Sequence, residues 1–207
     1  MRRKQLKRIN EKIATLFLIC LISLAITGYT YSHWTDIITI LGTINTGNLK
    51  ITIDNQKLIP DIGYSKTPDN KTVTISAEIT TGWQIWVGII IKNNGTTPAT
   101  ITPSITTDNK PVWETYFTHN EYFYGPYTPN PPPEVWNNAP TLPPPGGSSL
   151  PPELSAQNKL VAWQSITLSG TPPDAFTIEI TVAYTATFQT WTDTVSVKYT
   201  LTFQPPP

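Results

Sequence analysis

Polar and apolar residues alternate with a period of two along most of this chain. The clearest case is Lys71-Thr72-Val73-Thr74-Ile75-Ser76-Ala77-Glu78-Ile79, which gives one apolar and one polar face, as a half-buried strand requires. Residues 37–44 and 49–53 read as strands parted by a Gly47-Asn48 break, and residues 84–91 are more continuously apolar, as in a strand covered on both faces. Asn93-Asn94-Gly95 predicts a turn with Asn94 or Gly95 at positive φ. Extended pattern resumes over 97–106, with Pro98 and Pro103 marking its ends or an edge. Strands are also expected at 159–168, 176–188 and 194–203, whereas aromatic-rich 116–127 is expected to fold over the core or form a loop. No helical period is visible beyond the N-terminus. The pattern predicts an all-β sandwich or jelly roll.

The N-terminus breaks this pattern. Arg2, Arg3, Lys4, Lys7, Arg8 and Lys12 precede an apolar run over 13–26, and a small-residue exit follows with Thr30 and Ser32 at the −3 and −1 places of a cleavage site. That is the layout of an export signal, cut between Ser32 and His33 by signal peptidase. The same run could instead stay as a membrane anchor, although a full span takes about 20 apolar residues. Cleavage gives three parts: a signal peptide over 1–32, a free N-terminal strand over 33–45, and a sandwich domain over 46–207. Within the domain, residues 125–152 carry eleven prolines. Such a run favours polyproline II and cannot supply a sheet ladder, so it reads as a stiff surface insertion.

Composition narrows the function classes. The only cysteine, Cys20, lies in the apolar run, so the mature chain has no disulfide to staple it. Six of the 14 Lys+Arg and one of the 14 Asp+Glu precede His33, which leaves 8 against 13 and a net charge of −5. A mildly acidic domain without a basic patch is not built for nucleic acid. His33 and His119 are the only histidines, without a His-Glu-x-x-His motif or a nucleophile elbow. No catalytic residue, metal site or cofactor is expected. Asp36, Asp54, Asp61 and Asp69 could meet at a calcium ion, but their spacing matches no calcium loop and solvated turns are favoured. Asn70-Lys71-Thr72 and Asn94-Gly95-Thr96 are N-glycosylation sequons beside predicted turns. High proline and Ile-rich strands hint at life at high temperature.

Four passages occur in an order that resembles the TasA/camelysin family. They are the exit Gly28-Tyr29-Thr30-Tyr31-Ser32-His33-Trp34-Thr35-Asp36, then Gly42-Thr43-Ile44-Asn45-Thr46-Gly47-Asn48-Leu49, then Ala77 to Trp83 leading through Val87–Ile91 into Asn93-Asn94-Gly95-Thr96, and Tyr184-Thr185-Ala186-Thr187-Phe188-Gln189. Ser32 replaces the family's alanine at the cut, and Thr81 and Trp83 depart from its proline and aspartate. The proline-rich middle has no counterpart. The resemblance implies a jelly-roll subunit of secreted extracellular fibres in biofilm matrices, with archaeal surface filaments and bundling pili as relatives. It also implies that an N-terminal strand from one subunit completes the sheet of the next.

The residues allow that mechanism. In 33–45, Trp34, Ile38, Ile40 and Ile44 share one face, with Ile37 and Leu41 on the other among threonines. An exposed strand of this kind is an aggregation hazard in a monomer and a directed contact in a polymer. The expected partner is an identical subunit, joined head to tail into a homopolymeric filament free of the membrane after cleavage. Two alternatives stay open. Residues 33–45 could be the first strand of their own subunit, or the protein could be a monomeric surface module that stacks sugars on Trp113, Tyr116, Tyr122, Tyr124 and Trp136.

Overall fold

The computed structural model describes residues 15–23, 47–137 and 147–205. The expected donor residues Trp34, Ile37, Ile38, Ile40, Leu41 and Ile44, the cleavage pair Ser32 and His33, and Asp36 lie outside the described residues. Residues 15–23 form a helix, α1, with Cys20 exposed; no helix among the described residues is long and apolar enough to cross a membrane.

From Gly47 onward the chain builds a β-sandwich. One sheet holds β1 (Ile51–Ile59), β4 (Gln84–Asn93), β7 (Lys159–Leu168) and β6 (Phe117–Tyr127), in the order β1-β4-β7-β6. The facing sheet holds β2 (Tyr64–Lys66), β3 (Thr72–Ile79), β9 (Trp191–Phe203), β8 (Phe176–Phe188) and β5 (Thr100–Thr107), in the order β2-β3-β9-β8-β5. Alternate residues of both sheets meet between them: Val73, Ile75 and Ile79 from β3, Val195, Val197 and Leu201 from β9, and Ile85, Val87, Ile89 and Ile91 from β4 share one core. All pairings are antiparallel except β3 with β9, which run parallel with Thr72 beside Ser196. Alternation alone cannot reveal that pairing, because it specifies faces and not neighbours.

Three expectations need correction. Residues 116–127 are mostly strand: β6 is an eleven-residue edge strand whose Phe117 and Phe123 reach the core while Tyr122 and Tyr124 lie on the opposite face. Helices exist beyond the N-terminus, as α2 (Lys110–Tyr116) and the single turn α3 (Pro133–Trp136). Asn109 starts α2 by accepting a bond from the Val112 N–H (3.3 Å), with Pro111 in the first turn. Such short helices carry too few residues to show a period. Finally, the turn at Asn93–Thr97 needs no positive φ. Gly95 is there for close approach instead: a Cβ would lie 2.0 Å from the Asn48 carbonyl oxygen.

β4 is covered on both faces, and the proline-rich segment explains its outer cover. Trp86 and Ile90 of β4, Tyr124 of β6, and Val161 and Trp163 of β7 form a second apolar cluster outside the sandwich, topped by Val135 and Trp136 of α3. Trp163 is wholly buried there; its indole N–H donates to the Val135 carbonyl (2.9 Å), and its ring lies 5.9 Å from that of Trp136. The ring fits because its cross-strand neighbour is Gly88, where a Cβ would come within 2.9 Å of three ring carbons. Thus the first half of the insertion is a strap over the sheet. Lys57 Nζ and Lys159 Nζ tie it down through the Asn137 carbonyl (2.6 Å) and Asn130 Oδ1 (2.7 Å).

Candidate strand-accepting edges

A sandwich has edges, and each leaves a row of N–H and C=O groups that something must satisfy. In β1, the Asn94 N–H bonds the Lys50 carbonyl, so Ile51 and Ile53 turn their backbone groups outward from the sheet. All four outward groups are taken. Ile51 N–H donates to Asp193 Oδ2 (2.8 Å) and Ile53 N–H to the Asn70 carbonyl (2.8 Å). Lys71 Nζ donates to the Ile51 carbonyl and pairs with Asp193, and Lys66 Nζ donates to the Ile53 carbonyl (2.7 Å). These ties run from β1 to the β2–β3 hairpin and β9, so the first half of the β1 edge is closed. Past the bulge Gln56 and Leu58 turn outward, and only the Gln56 N–H is taken, by Asn55 Oδ1 (2.9 Å). Burial draws the Lys66 ammonium below its usual range.

The opposite side differs. In β6 the Ser169 N–H bonds the Tyr116 carbonyl, so Phe117, His119, Glu121 and Phe123 turn their backbone groups outward. Phe123 exchanges both bonds with Ser148 (2.8 and 3.0 Å), and the Phe117 N–H closes α2 on the Trp113 carbonyl. In β5 the Asp108 N–H bonds Glu179 of β8, so Ala99, Ile101, Pro103, Ile105 and Thr107 face outward. Ala99 exchanges both bonds with Leu154 (3.0 and 2.8 Å). From Ile101 to Thr107 no backbone partner lies on that side among the described residues. Pro103 sits where its missing N–H costs the β5–β8 ladder nothing, as expected for an edge. A window therefore opens between β5 and β6, bounded by α2 at one end and by the segment from Ser148 to Leu154 at the other.

Polar side chains stand behind this window. His119 and Glu121 point inward from β6, Gln164 lies opposite Glu121 on β7, and Tyr184 and Tyr199 face them from β8 and β9. His119 Nε2, Glu121 Oε1, both Gln164 amide atoms and both tyrosine hydroxyls are buried without a hydrogen-bond partner among the described residues. Burial lowers His119 to about 4, Gln164 pulling slightly the other way. Burial raises the Glu121 carboxyl, with the nearby Tyr184 hydroxyl opposing. Both tyrosines are pushed well above their usual range by burial and by the negative charge on Glu121. Neither the cluster nor the lacing residues Lys66, Lys71 and Asp193 carries a sequence signal; only the register reveals them.

The aromatic residues expected to stack sugars are engaged elsewhere. Trp113 stacks on Phe117 (5.5 Å), Tyr116 packs on the core, Tyr122 stacks on Trp86 (6.4 Å), Tyr124 is buried and Trp136 lies on Trp163. Asp54 pairs with Lys159 (2.6 Å), Asp61 lies in the β1–β2 connection, and Asp69 accepts from Thr67 Oγ1 (2.6 Å) and the Lys71 N–H (3.1 Å), so the structure gives two of these carboxylates partners of their own. The two sequons differ. Asn70 is exposed at the tip of the β2–β3 hairpin with φ 57, whereas Asn94 is half-buried with its amide donating to Thr52 Oγ1 (2.7 Å).

No protein-family model matches the chain, and no curated protein matches it. Among solved structures it is similar to a family 123 glycoside hydrolase from Clostridium perfringens at 14% identity, covering 77% of this chain and 28% of that one, with a TM-score of 0.39. It is also similar to the N-terminal domain of PorA at 11% identity, covering 74% of this chain and 100% of that one, with a TM-score of 0.31. A third is the CooA pilin subunit from enterotoxigenic Escherichia coli, at 11% identity, covering 72% of this chain and 99% of that one, with a TM-score of 0.32. The chain spans about a quarter of the hydrolase it matches. At these scores none of the three assigns it a family or an activity.

Proposed function

We propose that this protein is the secreted structural subunit of an extracellular filament, polymerised head to tail when residues 33–45 of one copy add as a strand to the sandwich of the next. The observation that carries this reading is the asymmetry of the edges. On one side four bonds tie the outward groups of Ile51 and Ile53 and leave only the short stretch at Gln56 and Leu58. On the other, among the described residues, the whole outward row of β5 from Ile101 to Thr107 has no backbone partner. A sequence with an apolar strand ahead of the domain and a domain with a long open ladder fit each other. Because the strand leaves one end of the copy and is used by another, the contact does not close on itself and grows a fibre.

The root of the strand is well anchored. Asn48 N–H donates to Thr96 Oγ1 (2.9 Å), Thr96 N–H to the Asn48 carbonyl (2.8 Å), and the Asn94 N–H to the Lys50 carbonyl (2.7 Å). The chain from His33 onward is expected to form filaments by negative-stain electron microscopy. A chain beginning at Gly47 is expected to stay monomeric by size-exclusion chromatography with light scattering. Filaments from the shortened chain would refute donation by this segment.

The exposed hairpin tip makes Asn70 the better glycan acceptor. In a host that glycosylates, peptide mass spectrometry is expected to find a sugar on Asn70 and none on Asn94, whose amide nitrogen is already engaged with Thr52.

A further inference from the structure

The uncovered edges are not equivalent. β3 extends past the three-residue β2, leaving Ser76 and Glu78 outward with an exposed charge at Glu78. On β1 past the bulge, Gln56 and Leu58 turn outward, and on β6, between the Ser148 pairing and α2, His119 and Glu121 are the residues with both backbone groups unpartnered among the described residues. On β5, the outward N–H groups of Ile101, Ile105 and Thr107 and the carbonyls of Ile101, Pro103, Ile105 and Thr107 have no backbone partner among the described residues. Ile105 packs on the core only in part, and Pro103 beside it is half-buried, so apolar surface as well as backbone remains uncovered there.

We infer that β5 is the edge that takes the strand of a neighbouring copy, which lies along Ile101–Thr107 and roofs the window over Glu121 and Gln164. This rests on the strand-donation reading above and adds where the strand goes. The window is about 23 Å long at roughly 3.3 Å per residue, and a thirteen-residue strand exceeds that with residues to spare. Its even-numbered face, with Ile38, Ile40 and Ile44, suits the half-covered row at Pro103 and Ile105.

The root at Gly47–Lys50 lies against Thr96 and Thr97, just before β5, and beyond it the outer edge at Ala99 is taken by the wholly buried Leu154, which sets one end of the open row.

Disulfide mapping tests the assignment, since the only cysteine, Cys20, precedes His33. In the chain from His33 onward, cysteines scanned over Thr35, Thr39 and Thr43 are paired with Thr106→Cys on β5, Asn120→Cys on β6 or Thr52→Cys on β1. Oxidation is expected to give a ladder of linked chains with Thr106→Cys and none with the other two. A ladder through β6 or β1, or a closed monomer through β5, would overturn the inference while leaving filaments intact. Loss of filament growth regardless of the segment would instead sink the strand-donation reading. As a second arm, Ile105→Pro deletes an outward N–H and no β5–β8 bond. It is expected to cut filament growth at least tenfold below Ile105→Ala, which gives up the same core contact and keeps the N–H; equal growth of the two would overturn the assignment.

Discussion

Replacing Trp163 with alanine is expected to cost about 3–5 kcal/mol, the usual range for emptying a large buried aromatic site. The side chain is wholly buried on the outer face of its sheet, between Gly88 and Trp136, and it holds α3 through the Val135 carbonyl. Its loss removes both the filler and the anchor of the strap. Urea unfolding should show a lower midpoint, and limited proteolysis should cut the segment between Thr128 and Asn137 sooner. Trp136→Ala should speed that cleavage while the sheets keep most of their stability. Gly88→Ala approaches the same site from below, and overpacking against the indole is expected to cost about 1–3 kcal/mol. In the Trp163→Ala background most of that penalty should vanish, because the clash has no partner. Additive losses would show that the ring and the glycine are not coupled.

The second large effect is on pH. His119 has a folded value of about 4 against an ordinary 6.5, because burial disfavours its cation. The groups facing it are Gln164 from β7, the Trp113 ring of α2 at 6.5 Å, and Glu121 along its own strand. Above the ordinary value both folded and unfolded chains carry a neutral ring, and stability is unaffected. As pH falls from about 6.5 to about 4 the unfolded chain binds the proton first, so stability drops, by about 2–3 kcal/mol over the window. Glu121 acts in the opposite sense. Its raised value means that the charged carboxylate weakens the fold at neutral pH, and protonation on acidification relieves that cost. Glu121→Gln should therefore be more stable than the parent at pH 7 and steeper in its acid loss. His119→Gln should flatten the fall between pH 6.5 and 4. Urea midpoints at several pH values check both, and an unchanged slope in His119→Gln would exclude the imidazole as the cause.

Period-two alternation identified β3, β8 and β9 nearly in full, because each places one face on the core, while the continuous apolar run marked β4, which is buried on both faces. It stopped short of the end of β1 at Ile59, because a bulge between Ile53 and Asn55 shifts the phase. It misread β6 because both faces of that strand are apolar in part: Phe117 and Phe123 face the core, and Tyr122 and Tyr124 face the aromatic cluster under the strap. Proline content predicted no ladder over 125–152, yet Tyr127 pairs with Lys159 at the end of β6 and Ser148 bridges Phe123, and composition could not say that Val135 and Trp136 would fold back onto Trp163. The candidate edges were less legible still. Whether the outward groups of Ile51 are taken, or those of Ile105 lack a partner among the described residues, depends on register and on side chains more than a hundred residues away, such as Asp193.

The short stretch from Asn48 to Lys50 has a mechanical meaning. It leads straight into β1, and β1 pairs along its whole length with the central strand β4. Tension applied to the N-terminal side of Gly47 therefore pulls β1 along its own axis, so the β1–β4 bonds resist together in shear and do not unzip one at a time. A fibre made of such units would carry load across the β1–β4 ladder of each copy in shear, the arrangement in which strands without covalent cross-links hold best.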